Sequence, residues 1–397
     1  MNFTPPLTPI DLRLNINPAI VLRSLLKAFP LLIALLLFAP SRTSYAEASP
    51  TENAAPTTSH TIGVALPLTG PIAWVGQAMQ RGVQLAVEEA NQTSTTEKFS
   101  LIVEDDLSSN RASAVTLFKK FSSAGATAAI NCSTSTLSAI APILTSSQLP
   151  TVILWDSNRD MPALSPWAIG FGYSNEKTAE DAATFLIKQR SHKKIAVLYY
   201  VNDWSELLTR SFLAKVSELG GEVTLSEQVD GANTDFRTLM AKIKRSGAEA
   251  LYLPLFGPGL TSALKQMRDV KFEGDVLTVD SLGDDELKDA GAAAEGIFVS
   301  QIALSDETFA AKLESRFPSA RSSSVNTGYS ALGYDGAKFL LHAIKASALS
   351  SGKSELLSSL KGRDFSGVLG EMKLSPQGVS DREMPIFKIH EGKFVSP

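Results

Sequence analysis

Between Thr127 and Ser157 the chain changes from strand spacing to helix spacing and back again (TAAINCSTSTLSAIAPILTSSQLPTVILWDS). Residues 128–130 form a short apolar run of the kind found in buried parallel strands. The polar cluster Ser133, Thr134, Ser135 and Thr136 follows, and then Leu137, Ile140, Ala141 and Leu144 recur at i, i+3, i+4 and i+7, a helical face. Pro150 ends that segment, and residues 151–155 read as the next strand. A β-turn-α-β unit of this kind commits the chain to a parallel sheet with helical crossovers. The hydroxyl turn would sit at a helix N-terminus, where unpaired N–H groups and the dipole favour an anion such as a carboxylate. Taken alone, a Ser/Thr cluster of this kind more often serves only as a helix cap.

The pattern repeats along the chain. Strands are expected at 61–68 and 99–103, with helices at 77–90 and 112–121. After a pause near 169–173 a second set begins: strands at 195–200, 222–225, 250–255 and 275–279, with helices at 180–188, 206–219, 236–243 and 260–268. Two further helices, 308–317 and 325–346, precede short β-like segments at 367–374 and 384–389. The expected fold class is α/β, with two Rossmann-like parallel-sheet lobes and a cleft beyond the carboxyl ends of their strands.

The first 46 residues are of another kind. Arg13, Arg23 and Lys27 lead into an apolar run at 28–39, and Ser44-Tyr45-Ala46 offers small residues for a cut. This reads as a secretory signal peptide cleaved after Ala46, its run shorter than the ~20 residues that span a bilayer. A Ser, Thr, Ala and Pro-rich stretch extends residues 47–60 as a flexible spacer. Removing the leader takes away four basic residues and one acidic one, so the net charge moves from −4 to about −7. An acidic exported protein is a poor partner for nucleic acid or anionic membrane. Cys132 is the only cysteine, which excludes an intramolecular disulfide and reads as a buried small residue.

Motifs for catalysis are missing. There is no GxSxG elbow, Walker A loop or HExxH, and His60, His192, His342 and His390 are scattered without metal spacing. Gly257-Pro258-Gly259 between a strand and a helix, with Asp280 about 20 residues on, partly matches a dinucleotide fingerprint. Ser262 stands where the third glycine is needed for close helix–strand approach. No enzyme, cofactor or metal is expected.

From about Thr61 onward the chain resembles the branched-chain amino-acid-binding proteins of ABC transporters, which have the type I periplasmic-binding fold. The resemblance rests on IGVALPLTGPIAWVGQAMQRGVQLAVEEAN, the acidic VEDD after the second strand and the Ser/Thr turn from Asn131. It rests further on the strand–helix pair from Ile195, GYSALGYDGA from Gly328 and FSGVLGEMKLSPQG near the end. It implies a Venus flytrap whose lobes exchange chain three times, 61–172 with 301–375 and 173–300 with 376–397. It implies capture of an amino acid, amide or related solute by a monomer that delivers it to a permease in the inner membrane. A ligand-sensing protein on the same fold is the alternative. Carried over residue by residue, the ligand carboxylate would be held by Ser133, the backbone of Trp155 and the hydroxyl of Ser157. The ammonium would pair with Asp280, aromatic walls would be Trp204 and Phe256, and Trp74 or Val75 would meet the side chain. By themselves Trp204 and Phe256 read as core residues and Asp280 as a solvated strand end. Trp155 is far bulkier than the small residue usual in the family, Asp280 is one methylene shorter than the usual Glu, and Trp204-Ser205 replaces Tyr-Gly. Ser108 stands where relatives often carry a cysteine that pairs near Cys132.

Overall fold

The computed structural model describes residues 58–304, 306–319, 323–347 and 352–397. The expected leader, 1–46, and most of the expected spacer, 47–57, lie outside them. Residues 58–60, also expected as spacer, instead open the first strand, with Thr58 in register with Glu97. The polar letters mislead there because His60 is buried and stacks on Phe99, 5.3 Å between ring centres.

The first half builds β1 (Thr58–Leu66), α1 (Ala73–Thr93), β2 (Glu97–Asp105), α2 (Arg111–Ser123) and β3 (Ala128–Asn131). A 3-10 turn, Thr134–Thr136, leads into α3 (Leu137–Ser147). Then come β4 (Thr151–Ile153), β5 (Asp156–Ser157), α4 (Met161–Leu164), β6 (Ala168–Gly170) and β7 (Tyr173–Ser174). Five of these strands form a parallel sheet in the order β2-β1-β3-β4-β6. Alternate residues of β1 serve opposite faces. Val64 and Leu66 pack with α1, while Ala65 joins Phe118, Phe121 and Ile140 of α2 and α3.

The second half builds α5 (Asn175–Thr184), β8 (Lys194–Tyr200), α6 (Asp203–Glu218), β9 (Glu222–Val229), α7 (Arg237–Arg245), β10 (Ala250–Leu253), α8 (Gly257–Asp269), β11 (Asp275–Val279), α9 (Asp284–Ala290) and β12 (Phe298–Ser300). After α10 (Glu307–Arg316), α11 (Ser324–Ala346), α12 (Lys353–Leu360) and the hairpin β13 (Phe365–Gly367) and β14 (Gly370–Met372), the chain adds β15 (Ile386–His390) and β16 (Lys393–Val395). The sheet order is β16-β15-β12-β11-β10-β8-β9, with β15 and β16 antiparallel and the rest parallel. β10, Ala-Leu-Tyr-Leu, is buried throughout, as a central parallel strand covered on both faces must be.

The chain therefore passes between the two lobes more than once. After β12 it returns to the first lobe, where α11 lies in the core against α1. Val379 and Arg382 bridge to Gly170 and Tyr173 before β15 closes the second sheet. The crossing of α1 and α11 requires glycine: a Cβ on Gly82 would lie 1.9 Å from the Ser330 carbonyl oxygen, and one on Gly333 2.2 Å from that of Met79.

Candidate functional site

Every element that reaches the space between the sheets does so at the carboxyl end of a strand. α1 starts after β1 and carries Trp74, α2 starts after β2 with Arg111, and the hydroxyl turn follows β3. From the other lobe come Trp204 at the start of α6, Phe256 capping α8, and Asp280 just beyond β11. Together they line a cleft of about 570 Å³, within the range of small-molecule sites. A second hollow of about 660 Å³ adjoins it, sharing Pro71, Trp74, Gly257 and Glu286.

Aromatic walls face each other from the two lobes. Trp74 and Trp155 both meet the edge of Tyr329, at 5.2 and 5.6 Å between ring centres. Opposite them Trp204 and Phe256 make an edge-on pair at 5.9 Å. The expected walls thus line the cleft, and so do Ser133 and Asp280.

Two expected residues do not reach it. Ser157 is fully buried in β5, where it pairs with Ser174, and its hydroxyl donates to the Ser380 carbonyl at 3.0 Å. Val75 is fully buried, because the helical turn that aims Trp74 at the cleft turns its neighbour into the core of the first lobe. The backbone of Trp155 is also engaged: its N–H donates to the Cys132 carbonyl at 2.8 Å and its carbonyl accepts from Tyr173 N–H at 3.2 Å. Both backbone groups expected to meet a ligand there thus have partners within the protein.

The hydroxyl turn is already occupied. Asp156 lies at the N-terminal end of the turn and α3, where its carboxylate accepts the Thr134 backbone N–H at 2.7 Å and the Thr134 hydroxyl at 2.7 Å. It also accepts Nδ2 of Asn175 at 3.0 Å and the Ser133 hydroxyl at 3.4 Å. Ser133 in turn accepts the Ser135 N–H, as the N-cap of the turn. The anion cradle expected for a ligand carboxylate thus holds one of the protein's own. Burial raises the Asp156 carboxyl above its ordinary range, and these donors pull against that shift.

Asp280 belongs to the opposite lobe and is 2% exposed. Its Oδ2 accepts the indole N–H of Trp155 at 2.7 Å, a bond from lobe to lobe. Its Oδ1 has no hydrogen-bond partner. Burial pushes the carboxyl up to about 7, opposed by the indole bond and reinforced by the negative charge of Asp156. Tyr329 donates its hydroxyl to the Asp280 backbone carbonyl at 2.9 Å and so fixes the strand end. At the rim Arg111 pairs with Asp203 across the cleft and donates to the Ser135 carbonyl. Glu286, raised by burial, accepts the Gly283 N–H at 3.1 Å beside Trp74.

Asp156, Arg111, Asp203 and Glu286 escaped the sequence reading. A carboxylate between Trp155 and Ser157 was visible as a letter. Its direction depends on where the strand ends, and β4 stops at Ile153 rather than at Trp155. The acidic stretch after the second strand serves the fold. Asp105 accepts the Leu68 N–H at 2.9 Å and the Thr69 hydroxyl at 2.6 Å, holding the loop that presents α1.

This two-lobed arrangement has a known counterpart. The periplasmic binding protein family matches residues 59–393. The chain belongs to that family. Among curated relatives, the Leu/Ile/Val-binding protein homolog 1 of Brucella suis is 26% identical over 251 residues, 59% of this chain and 64% of that protein. The leucine-, isoleucine-, valine-, threonine- and alanine-binding protein of Pseudomonas aeruginosa is 24% identical over 252 residues, again 59% and 64%. The aligned part thus spans somewhat less than two thirds of those relatives. The fold is shared with the leucine-binding protein LivK of Thermotoga maritima, TM-score 0.75 at 23% identity, covering 85% of this chain and 97% of that one. It is shared equally with a solute-binding protein of an ABC transporter from R. palustris, solved with 4-hydroxybenzoate, TM-score 0.75 at 21% identity, covering 85% and 95%. The type I flytrap expected from the sequence is therefore the fold of this periplasmic binding protein.

Proposed function

We propose that the protein is an exported solute receptor that captures a small organic molecule between its lobes and hands it to an ABC permease of the inner membrane, without a chemical step. The observation that carries this reading is the cleft itself, whose walls come from both lobes and which both lobes already bridge through Trp155–Asp280 and Arg111–Asp203. A ligand that touches both lobes favours the closed form by its differential affinity, and closure is what a permease can read. Relatives named for branched-chain amino acids, and a similar fold solved with 4-hydroxybenzoate, support a solute of that size. We assign the walls to Trp74, Trp155, Trp204 and Phe256 and the polar anchor to Asp280, with Ser133 acting through Asp156. Among the described residues no helix is long and apolar enough to cross a membrane, and no group of three His, Cys, Asp or Glu could hold a metal ion.

Small-angle scattering of the protein with and without its solute should show compaction at saturation. A deletion strain should lose uptake of that solute. Unchanged dimensions at saturation would remove the flytrap mechanism, and intact uptake would point to sensing rather than transport. Mass spectrometry of the protein from a periplasmic extract should find residues 1–46 removed.

A further inference from the structure

Within the solute-receptor reading, on which this inference rests, the class of solute follows from what the cleft already contains. A binding site for a free amino acid needs an empty anion cradle in one lobe and an empty acceptor in the other. Here the cradle is filled. The carboxylate of Asp156 takes the Thr134 N–H and hydroxyl at the head of the turn, and the Ser133 hydroxyl also donates to it. A second carboxylate brought to this place would meet a charge of its own sign, with the Thr134 donors already used and the Ser135 hydroxyl the one side-chain donor of the turn left without a partner. The acceptor is not filled. Asp280 Oδ1 is buried, lines the cleft and has no partner, while Oδ2 is held by Trp155.

The surrounding charge is mostly negative. Among the described residues that line the cleft, Asp156, Asp203, Asp280 and Glu286 are acidic and Arg111 is the one cation. Arg111 is paired with Asp203 at the rim and turned to the Ser135 carbonyl, so it offers little to a carboxylate inside. Asp156 and Asp280 come from opposite lobes, and the negative charge of Asp156 raises the cost of ionising Asp280. A positive group between them would relieve that cost. The rings of Trp74 and Trp155 from one lobe and of Trp204 and Phe256 from the other line the cleft, a setting that favours a cation once water is excluded.

We propose that the cleft is built for an organic amine cation that carries no carboxylate, its ammonium on Asp280 Oδ1 and its apolar part between the tryptophans and Phe256, with Asp156 acting as a built-in substitute for the carboxylate of an amino acid. Asp156 is then the residue that sets specificity, since it excludes α-amino acids by occupying their anchor.

Calorimetry on the whole protein, at about pH 8 so that Asp280 can ionise, decides this with matched pairs. Phenethylamine, tyramine and 3-methylbutylamine are titrated against phenylalanine, tyrosine and leucine, with benzoate and 4-hydroxybenzoate as acids lacking the amine. The expected result is that at least one amine binds, at least about tenfold more tightly than its amino acid, and that neither acid competes. Asp156→Ala empties the cradle and should move the ratio of amino acid to amine by about tenfold or more toward the amino acid; Asp156→Asn, which keeps the shape, should move it less. An amino acid or benzoate that binds the wild-type protein more tightly than every amine overturns the proposal, as does the failure of all the amines to bind. Should Asp156→Ala not fold, the wild-type comparison alone still decides. Leucine binding with compaction in scattering would remove this inference and leave the solute-receptor reading standing.

Discussion

At Asp280 a carboxyl group sits where water does not reach it, with a donor on one oxygen only. Its folded value, about 7, is above the ordinary 3.8. Below about pH 4 the group is protonated in both the folded and the unfolded chain and contributes nothing to pH dependence. Between about 4 and 7 the unfolded chain ionises while the folded one keeps its proton, so stability falls as pH rises and levels off above 7, a loss of about 4 kcal/mol. Asp280→Asn should remove this slope. In denaturant titrations of the unliganded protein the variant should match wild type near pH 4 and exceed it near pH 8, while binding solute more weakly. A variant no more stable than wild type at pH 8 would show that Asp280 is not held uncomfortably. Trp155→Phe takes away the indole donor and leaves both carboxylate oxygens without a partner. It should destabilise by about 1–3 kcal/mol, and by more at pH 8 than at pH 5, where the proton remains. Equal losses at both pH values would place the cost in packing instead.

Several helices present their N-termini to the cleft, and two of them, α2 and α6, are fixed there by side-chain caps. Asn110 accepts the Ser113 N–H and Asn202 the Ser205 N–H, which sets the entry of α2 and α6 and so brings Arg111 and Asp203 together across the opening. Both partners of that pair are more than half exposed, so it should behave as a weak, salt-sensitive latch. Arg111→Ala should weaken solute binding by less than about fivefold in dilute buffer and have almost no effect near 1 M salt. A loss of orders of magnitude would mean that Arg111 touches the solute. Gly333→Ala tests the other kind of element contact, since its methyl would press on the Met79 carbonyl; about 1–3 kcal/mol should be lost in thermal unfolding. Such contacts also explain what the sequence disclosed. The β-turn-α-β unit and β11 at its full extent could be read from period and order, whereas the aromatic positions Trp74, Trp204 and Phe256 came from the family resemblance. α9 and α12 could not, because helices of two turns carry too few residues for a period to show. The occupied cradle escaped for a different reason. Whether a carboxylate next to a hydroxyl turn points at the turn or away from it depends on the residue at which a strand stops pairing.

Across the whole molecule, the second sheet is unfinished until residues far along the chain return to it. β12 is an interior strand in the final order, yet one of its sides is covered only by β15, which follows α10, α11, α12 and the hairpin of β13 and β14. A solute bound between the lobes should act on this structure as one unit and raise its stability by about 2.7 kcal/mol at a hundredfold excess over Kd. In calorimetry it should shift a single transition; two transitions, only one of them moved, would show that the lobes unfold apart. Synthesis meets the same topology from the other direction. While the chain is still being made, β12 has an open edge and the apolar face of α1 waits for α11, so neither lobe can close on the residues available. A nascent chain of this topology stays loose until its final strands are made. Under the export proposed above that delay is an advantage, because a chain threaded unfolded through a membrane channel must not fold on the wrong side first.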